Sequence, residues 1–132
     1  MKVLDASFLI DYLDGVDATQ DFYETNGGPD ERWIMPAPAY AETLVGVGNL
    51  PEGDVSATIA GLAWGEVYGI DEQLAVTAAA IADEVGPQGP FLGGMDALIA
   101  AVGRELDAPV VSADTDLTHD ATKHVIAVEE YR

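Results

Sequence analysis

A chain of 132 residues is long enough to bury one core without disulfides or a structural metal, and no break in composition asks for a second domain. Its 5 basic and 24 acidic residues give a formal net charge of −19. That excludes the basic patch through which nucleic-acid phosphates are ordinarily held, while 48% hydrophobic residues exclude a disordered acidic tail.

The opening Lys2 to Asp5 reads as a short buried strand, and Ser7 starts a helix whose Phe8, Leu9, Tyr12 and Leu13 share a face before Gly15 stops it. A second helix is expected from Asp17 to about Thr25. Asn26 to Pro29 form a loop, and Arg32 to Met35 a strand ended by Pro36. The following helix carries Tyr40, Leu44 and Val47, and another runs from Val55 to Trp64. Glu66 to Ile70 reads as a third strand, Asp71 to Val85 as a helix with Leu74, Thr77, Ala78 and Ile81 on one stripe. Gly86 to Gly94 is a glycine and proline loop, Met95 to Leu106 a helix, Pro109 to Ser112 a fourth strand and His124 to Val128 a fifth.

Strands alternating with helices imply an α/β fold of three layers, a mostly parallel central sheet of four or five strands with helices on both faces, in a single domain over residues 1–132. No apolar run reaches the length of a membrane span, and the start is too short an apolar stretch for a signal peptide. Without cysteine there are no disulfides, thiolate zinc sites or cysteine nucleophiles, which fits a cytoplasmic location. So acidic a surface repels itself in dilute salt and suits the cytoplasm of a halophile, where concentrated salt screens it.

Ligands of parallel sheets bind at the carboxyl ends of the strands, near the point where strand order reverses. Asp5 and Asp114 each follow a strand directly, and Asp96 and Glu42 fall in helices near the same edge. Four converging carboxylates need neutralising, and a hard cation such as Mg²⁺ or Mn²⁺, which takes oxygen ligands, does so. With 24 acids in 132 residues, four given positions are all acidic by chance only about once in a thousand. Each acid also has a plainer role: a helix cap for Asp5, a dipole-favoured surface acid for Asp96, an Asx turn for Asp114, a solvated helix face for Glu42. Trp33, Tyr40, Trp64 and Tyr68 are expected in the core, and His119 and His124 lack any zinc-ligand spacing.

The segments Val3-Leu4-Asp5-Ala6-Ser7, Pro38-Ala39-Tyr40-Ala41-Glu42, Met95-Asp96-Ala97-Leu98-Ile99-Ala100-Ala101 and Val110-Val111-Ser112-Ala113-Asp114-Thr115-Asp116 together resemble the PIN-domain ribonucleases, and in size and layout their VapC-type toxins. The resemblance implies a Mg²⁺- or Mn²⁺-dependent endoribonuclease with Asp5, Glu42, Asp96 and Asp114 as catalytic acids. It places the metal on Asp5, Asp96, Asp114 and Asp116, with Ser7 and Ser112 orienting carboxylates. It further implies an RNA substrate, a cognate antitoxin protein and a homodimer, for which apolar helix faces such as Leu44 and Val47 are candidates. Where the family often has an aromatic residue after the last acidic motif, this chain has Leu117, so the substrate groove is expected to differ there. An alternative is a PIN-like scaffold serving as an acidic binding module for a protein partner. An aspartyl-phosphate phosphatase ranks lower, because its Asp-x-Asp opening would need an acid where Ser7 stands.

Overall fold

The computed structural model describes residues 1–132, the side chain of Gln88 excepted. In chain order the elements are β1 (Lys2–Leu4), α1 (Ala6–Leu13), α2 (Asp17–Thr25), β2 (Trp33–Pro36), α3 (Ala37–Gly48), α4 (Val55–Gly61), β3 (Glu66–Tyr68), α5 (Glu72–Val85), α6 (Gly94–Leu106), β4 (Val110–Ser112), α7 (Asp120–Lys123) and β5 (Val128–Glu130). All strand pairs are parallel, in the order β3-β2-β1-β4-β5. The chain builds outward from β1 to β3, then returns to lay β4 on the other side of β1. The switch point therefore lies between β1 and β4, where the loops after both strands leave the same edge.

Every residue of β2 and of β4 is buried. Side chains alternate faces along a strand, so unbroken burial means that helices cover both faces of the central strands. On one of them α6 packs against β1, β2 and β4 and is held in turn by α5. Gly103 lets α6 approach closely, since a Cβ there would stand 2.8 Å from Val110 Cγ2. The core joins Val3, Leu4, Phe8, Ile34, Ile99 and Val111. Trp33, Tyr40, Trp64 and Tyr68 belong to it or pack against it, as their spacing predicts, with Trp33 stacked on Tyr23 at 5.2 Å between centroids.

Helix starts follow their sequence signals. Asp54 and Asp71 cap α4 and α5 by accepting from Ala57 N and Leu74 N, at 3.0 and 2.9 Å. The fifth strand departs from expectation. The apolar stretch from His124 to Val128 is mostly a turn: α7, capped by His119, continues into bonds from Val125 N and Ile126 N to Thr122 O, and pairing with β4 begins only at Ala127. Ile126 is apolar because it plugs the core, not because it belongs to a strand. The helix predicted from Val55 to Trp64 stops at Gly61, and β3 is a short edge strand with Val67 exposed.

Candidate metal centre

Each strand that ends at the switch point delivers an acid. Asp5 follows β1, and its amide extends the ladder by donating to Val111 O at 3.2 Å. Its side chain is 3% exposed. Oδ1 accepts from Ser7 N at 2.6 Å, capping α1, while Oδ2 accepts from Ser7 Oγ at 3.1 Å and from the hydroxyl of Ser112, itself fully buried at the end of β4. Ser7 Oγ also accepts from Ala113 N at 3.0 Å, and Ser112 Oγ from Asp114 N at 2.9 Å. Two serines thus tie the ends of β1 and β4 together through one carboxylate. Burial raises the Asp5 pKa, the serine hydrogen bonds oppose the rise, and the nearby Asp114 charge adds to it.

In front of this network, Asp96, Asp114 and Asp116 each bring a carboxylate oxygen to within 4.8 Å of the others. Asp96 comes from the first turn of α6, which runs antiparallel to the strands and so starts at their carboxyl edge. Asp114 Oδ1 accepts from Asp116 N at 2.8 Å and Leu117 N at 3.2 Å, the expected Asx turn, which fixes the carboxylate and leaves its second oxygen free of the turn. Asp116 is held from behind, its carbonyl accepting from Thr122 Oγ1 at 2.7 Å. The Asp96 pKa is pushed up to about 6, first by desolvation and then by the charges of Asp114, Asp5, Asp116 and Glu42. Glu42 is exposed on α3, within electrostatic range of Asp96 but outside the close trio.

Of the acids proposed from sequence, Asp96, Asp114 and Asp116 converge, Asp5 stands directly behind them, and Glu42 lies at the rim. Leu117 is fully buried, so the residue type at that position bears on packing and not on a groove surface. Neither histidine joins the cluster: His119 Nδ1 accepts from Ala121 N at 3.0 Å, and His124 Nδ1 bonds Asp120 O at 2.6 Å. Arg104 points elsewhere, to Glu84 at 2.6 Å near the end of α6. One nearby group escaped the sequence reading. Asp11, on α1, accepts from Tyr131 Oη at 2.6 Å and Arg132 Nε at 2.8 Å. The separation of about 120 positions along the chain gives no local signal for it.

No ion pair among the described residues involves Asp5, Glu42, Asp96, Asp114 or Asp116. A trio of carboxylate oxygens at this spacing, backed by a buried acid and with no protein cation to balance it, suits a hard divalent ion bound by oxygen. Fold and site together define a parallel α/β domain with an acidic cluster at its switch point.

The PIN domain family matches residues 2–122, and the chain belongs to that family. No curated protein matches it in sequence. Among solved structures, VapBC2 from Rickettsia felis, bound to a DNA fragment from its promoter, aligns with a TM-score of 0.81 at 15% identity, over 99% of this chain and 98% of that one. A toxin-antitoxin complex from Klebsiella pneumoniae aligns at 0.80 and 17% identity, over 100% and 98% of the two chains. DNA-bound VapBC from Salmonella typhimurium aligns at 0.79 and 19%, over 99% and 98%. At such identities the likeness is one of fold.

Proposed function

We propose that this chain is a metal-dependent endoribonuclease of the VapC type, cutting RNA phosphodiesters at the carboxylate cluster. The observation that carries the proposal is the convergence of Asp96, Asp114 and Asp116 in front of a buried, serine-tethered Asp5. Asp96, Asp114 and Asp116 would hold Mg²⁺ or Mn²⁺, with Asp5 as a ligand or as the acid that orients them. Such an ion supplies a water of lowered pKa and positive charge for the phosphate oxygens. Ser7 and Ser112 keep Asp5 in one rotamer, and the Asp114 turn presents a single oxygen to the site. Glu42 would act as a catalytic acid from the rim, where its charge is felt at Asp96.

The test is incubation with total RNA in molar KCl and Mn²⁺, mapping new 5′ ends, with Asp96→Asn in parallel. A discrete cut lost on chelation and absent from the variant is expected. Full activity in Asp96→Asn would refute the assignment. The relatives' complexes lead us to propose a protein antitoxin as partner, encoded beside this chain. We also infer a homodimer; Leu44 and Val47 are half-buried, and Val47 lines a groove with the exposed Ile10 and Leu50. A monomer in light scattering at high salt would remove that inference.

A further inference from the structure

An RNA substrate meets a surface with no cation to spare. Each of the five basic side chains is already paired with a carboxylate: Lys2 with Glu129, Arg32 with Glu66, Arg104 with Glu84, Lys123 with Glu130 and Arg132 with Asp11. On a chain of net charge −19, phosphates find repulsion everywhere outside the proposed ion site. Affinity for the rest of the strand must come from the bases, and the sequence-tolerant way to hold an unpaired base is to stack it on an aromatic ring.

One ring is placed for this. The chain has two Trp, five Tyr and three Phe. Phe8, Trp33 and Tyr131 lie in the core, and Tyr12, Phe22, Tyr23, Tyr40, Trp64 and Tyr68 pack against it. Phe91 alone does neither: it is 90% exposed, the most exposed of the large apolar side chains. It sits in the loop leading into α6, at the carboxyl edge and five positions before Asp96 in sequence. The neighbouring Leu92 is half-buried against the core, which fixes the loop, and Pro90 restricts it further. Leu92, Gly93, Gly94 and Met95 join Phe91 to Asp96; an added Cβ at either glycine would meet nothing within 4 Å, and Met95 is itself 44% exposed, so this stretch of the approach is open to solvent. Leaving a phenyl group in water gains the fold nothing.

We infer that Phe91 is a substrate-binding residue whose ring stacks on an unpaired nucleobase of single-stranded RNA next to the Asp96, Asp114 and Asp116 cluster. This rests on the ribonuclease reading for the class of ligand. Two consequences follow. Binding depends on the base at one position more than on the phosphates, and affinity does not fall with salt but rises as salt screens the repulsion, because no counterions are released by lysine or arginine contacts.

The experiment measures fluorescence anisotropy of a labelled single-stranded RNA oligonucleotide on the intact protein in Ca²⁺, from 0.2 to 3 M KCl, alongside cleavage in Mn²⁺. Phe91→Ala should weaken binding by about five- to a hundredfold and raise KM with little change in kcat. Phe91→Trp should restore affinity and show fluorescence quenching when the oligonucleotide binds. Removing one base to leave an abasic site should cost the unsubstituted protein a comparable factor at one position and cost Phe91→Ala almost nothing there. Equal affinity of Phe91→Ala and the unsubstituted protein overturns the inference and leaves the ring to a protein contact, as does a loss that persists on the abasic strand. Cleavage that proceeds normally in Phe91→Ala with unaltered binding refutes this inference alone. Binding lost in Phe91→Ala by a protein that never cleaves RNA refutes the nuclease and spares the contact. Absence of any binding overturns both.

Discussion

Replacing Asp96 with Asn should stabilise the metal-free protein at neutral pH. The Asp96 pKa stands at about 6 against an ordinary 3.8, which corresponds to about 3 kcal/mol of excess cost for the charged form. Asp96 is only partly buried, and molar salt screens its neighbours, so about 1–2 kcal/mol is the realistic share. The sign follows from proton counts. The unfolded carboxyl releases its proton near pH 3.8 and the folded one near 6, so between these values the folded state holds more protons and stability falls as pH rises. Above about pH 6 the penalty is complete, and below 3.8 it vanishes. Asn carries no charge at any pH and removes this contribution to the slope, leaving that of Asp5. Thermal denaturation in molar KCl with chelator should therefore show the variant melting about 3–8 °C higher at pH 7.5, with the difference closing toward pH 4. Mn²⁺ should reverse the order by stabilising only the native protein. A variant no more stable than the native chain at pH 7.5, or a gap independent of pH, would refute the account of Asp96 as a strained acid.

Ser112→Ala removes a buried donor to Asp5 and the acceptor of Asp114 N. It should cost about 1–3 kcal/mol in urea denaturation and slow cleavage more than Ser7→Ala, because the backbone bond from residue 7 survives in both variants while the fully buried Ser112 hydroxyl is the stronger of the two side-chain donors to Asp5. Asp107 ends α6 in the left-handed region with φ 50°, where glycine is unstrained, so Asp107→Gly should raise stability by about 1 kcal/mol, read as a higher urea midpoint at unchanged slope. Trp64 Nε1 is buried without a partner, whereas Trp33 Nε1 donates to Gly28 O at 2.8 Å. Trp64→Phe should thus change stability by less than about 1 kcal/mol, while Trp33→Phe costs about 2 kcal/mol or more. Equal losses in the two would contradict the assignment of Trp64 as an unsatisfied donor.

What could be read from sequence was whatever the chain writes locally. The strand-acid-helix order at Asp5, the Val110-Val111-Ser112 run ending at Asp114, and the helix carrying Asp96 each announce an acid at a carboxyl edge, because strand ends and helix starts leave marks within a few residues. The rest depends on contacts between distant segments. Nothing near residue 126 says that an isoleucine will fill the core from a turn, so the apolar pattern puts β5 too early. Asp116 carries no local mark of its place, which comes from a turn at Asp114 and a hydroxyl from Thr122. Asp11 has no local signal because its partners, Tyr131 and Arg132, come from beyond β5. Phe91, in a glycine and proline loop without periodicity, carried no pattern at all, and only its exposure in the fold sets it apart.

The distribution of charge separates the site from its surroundings more sharply than the number of acids does. With 24 acids and 5 bases, most acids must lack a partner wherever they lie, so an unpaired acid on this surface means little. What distinguishes Asp96, Asp114 and Asp116 is that they are partly withdrawn from solvent, close to one another and backed by Asp5, an arrangement whose cost appears in the raised Asp96 pKa. Acids adapted only to hold water and salt gain nothing from crowding, and helix surfaces offered ample room to spread them. A fold that instead fixes Asp5 by two serines, Asp114 by an Asx turn and the Asp116 backbone by a threonine keeps a repulsive arrangement that one divalent ion would turn into an attractive one. On the proposed reading, the same economy in cations that leaves this cluster for an ion would leave the remainder of an RNA strand to its bases, and so tie the acid centre to the exposed ring of Phe91.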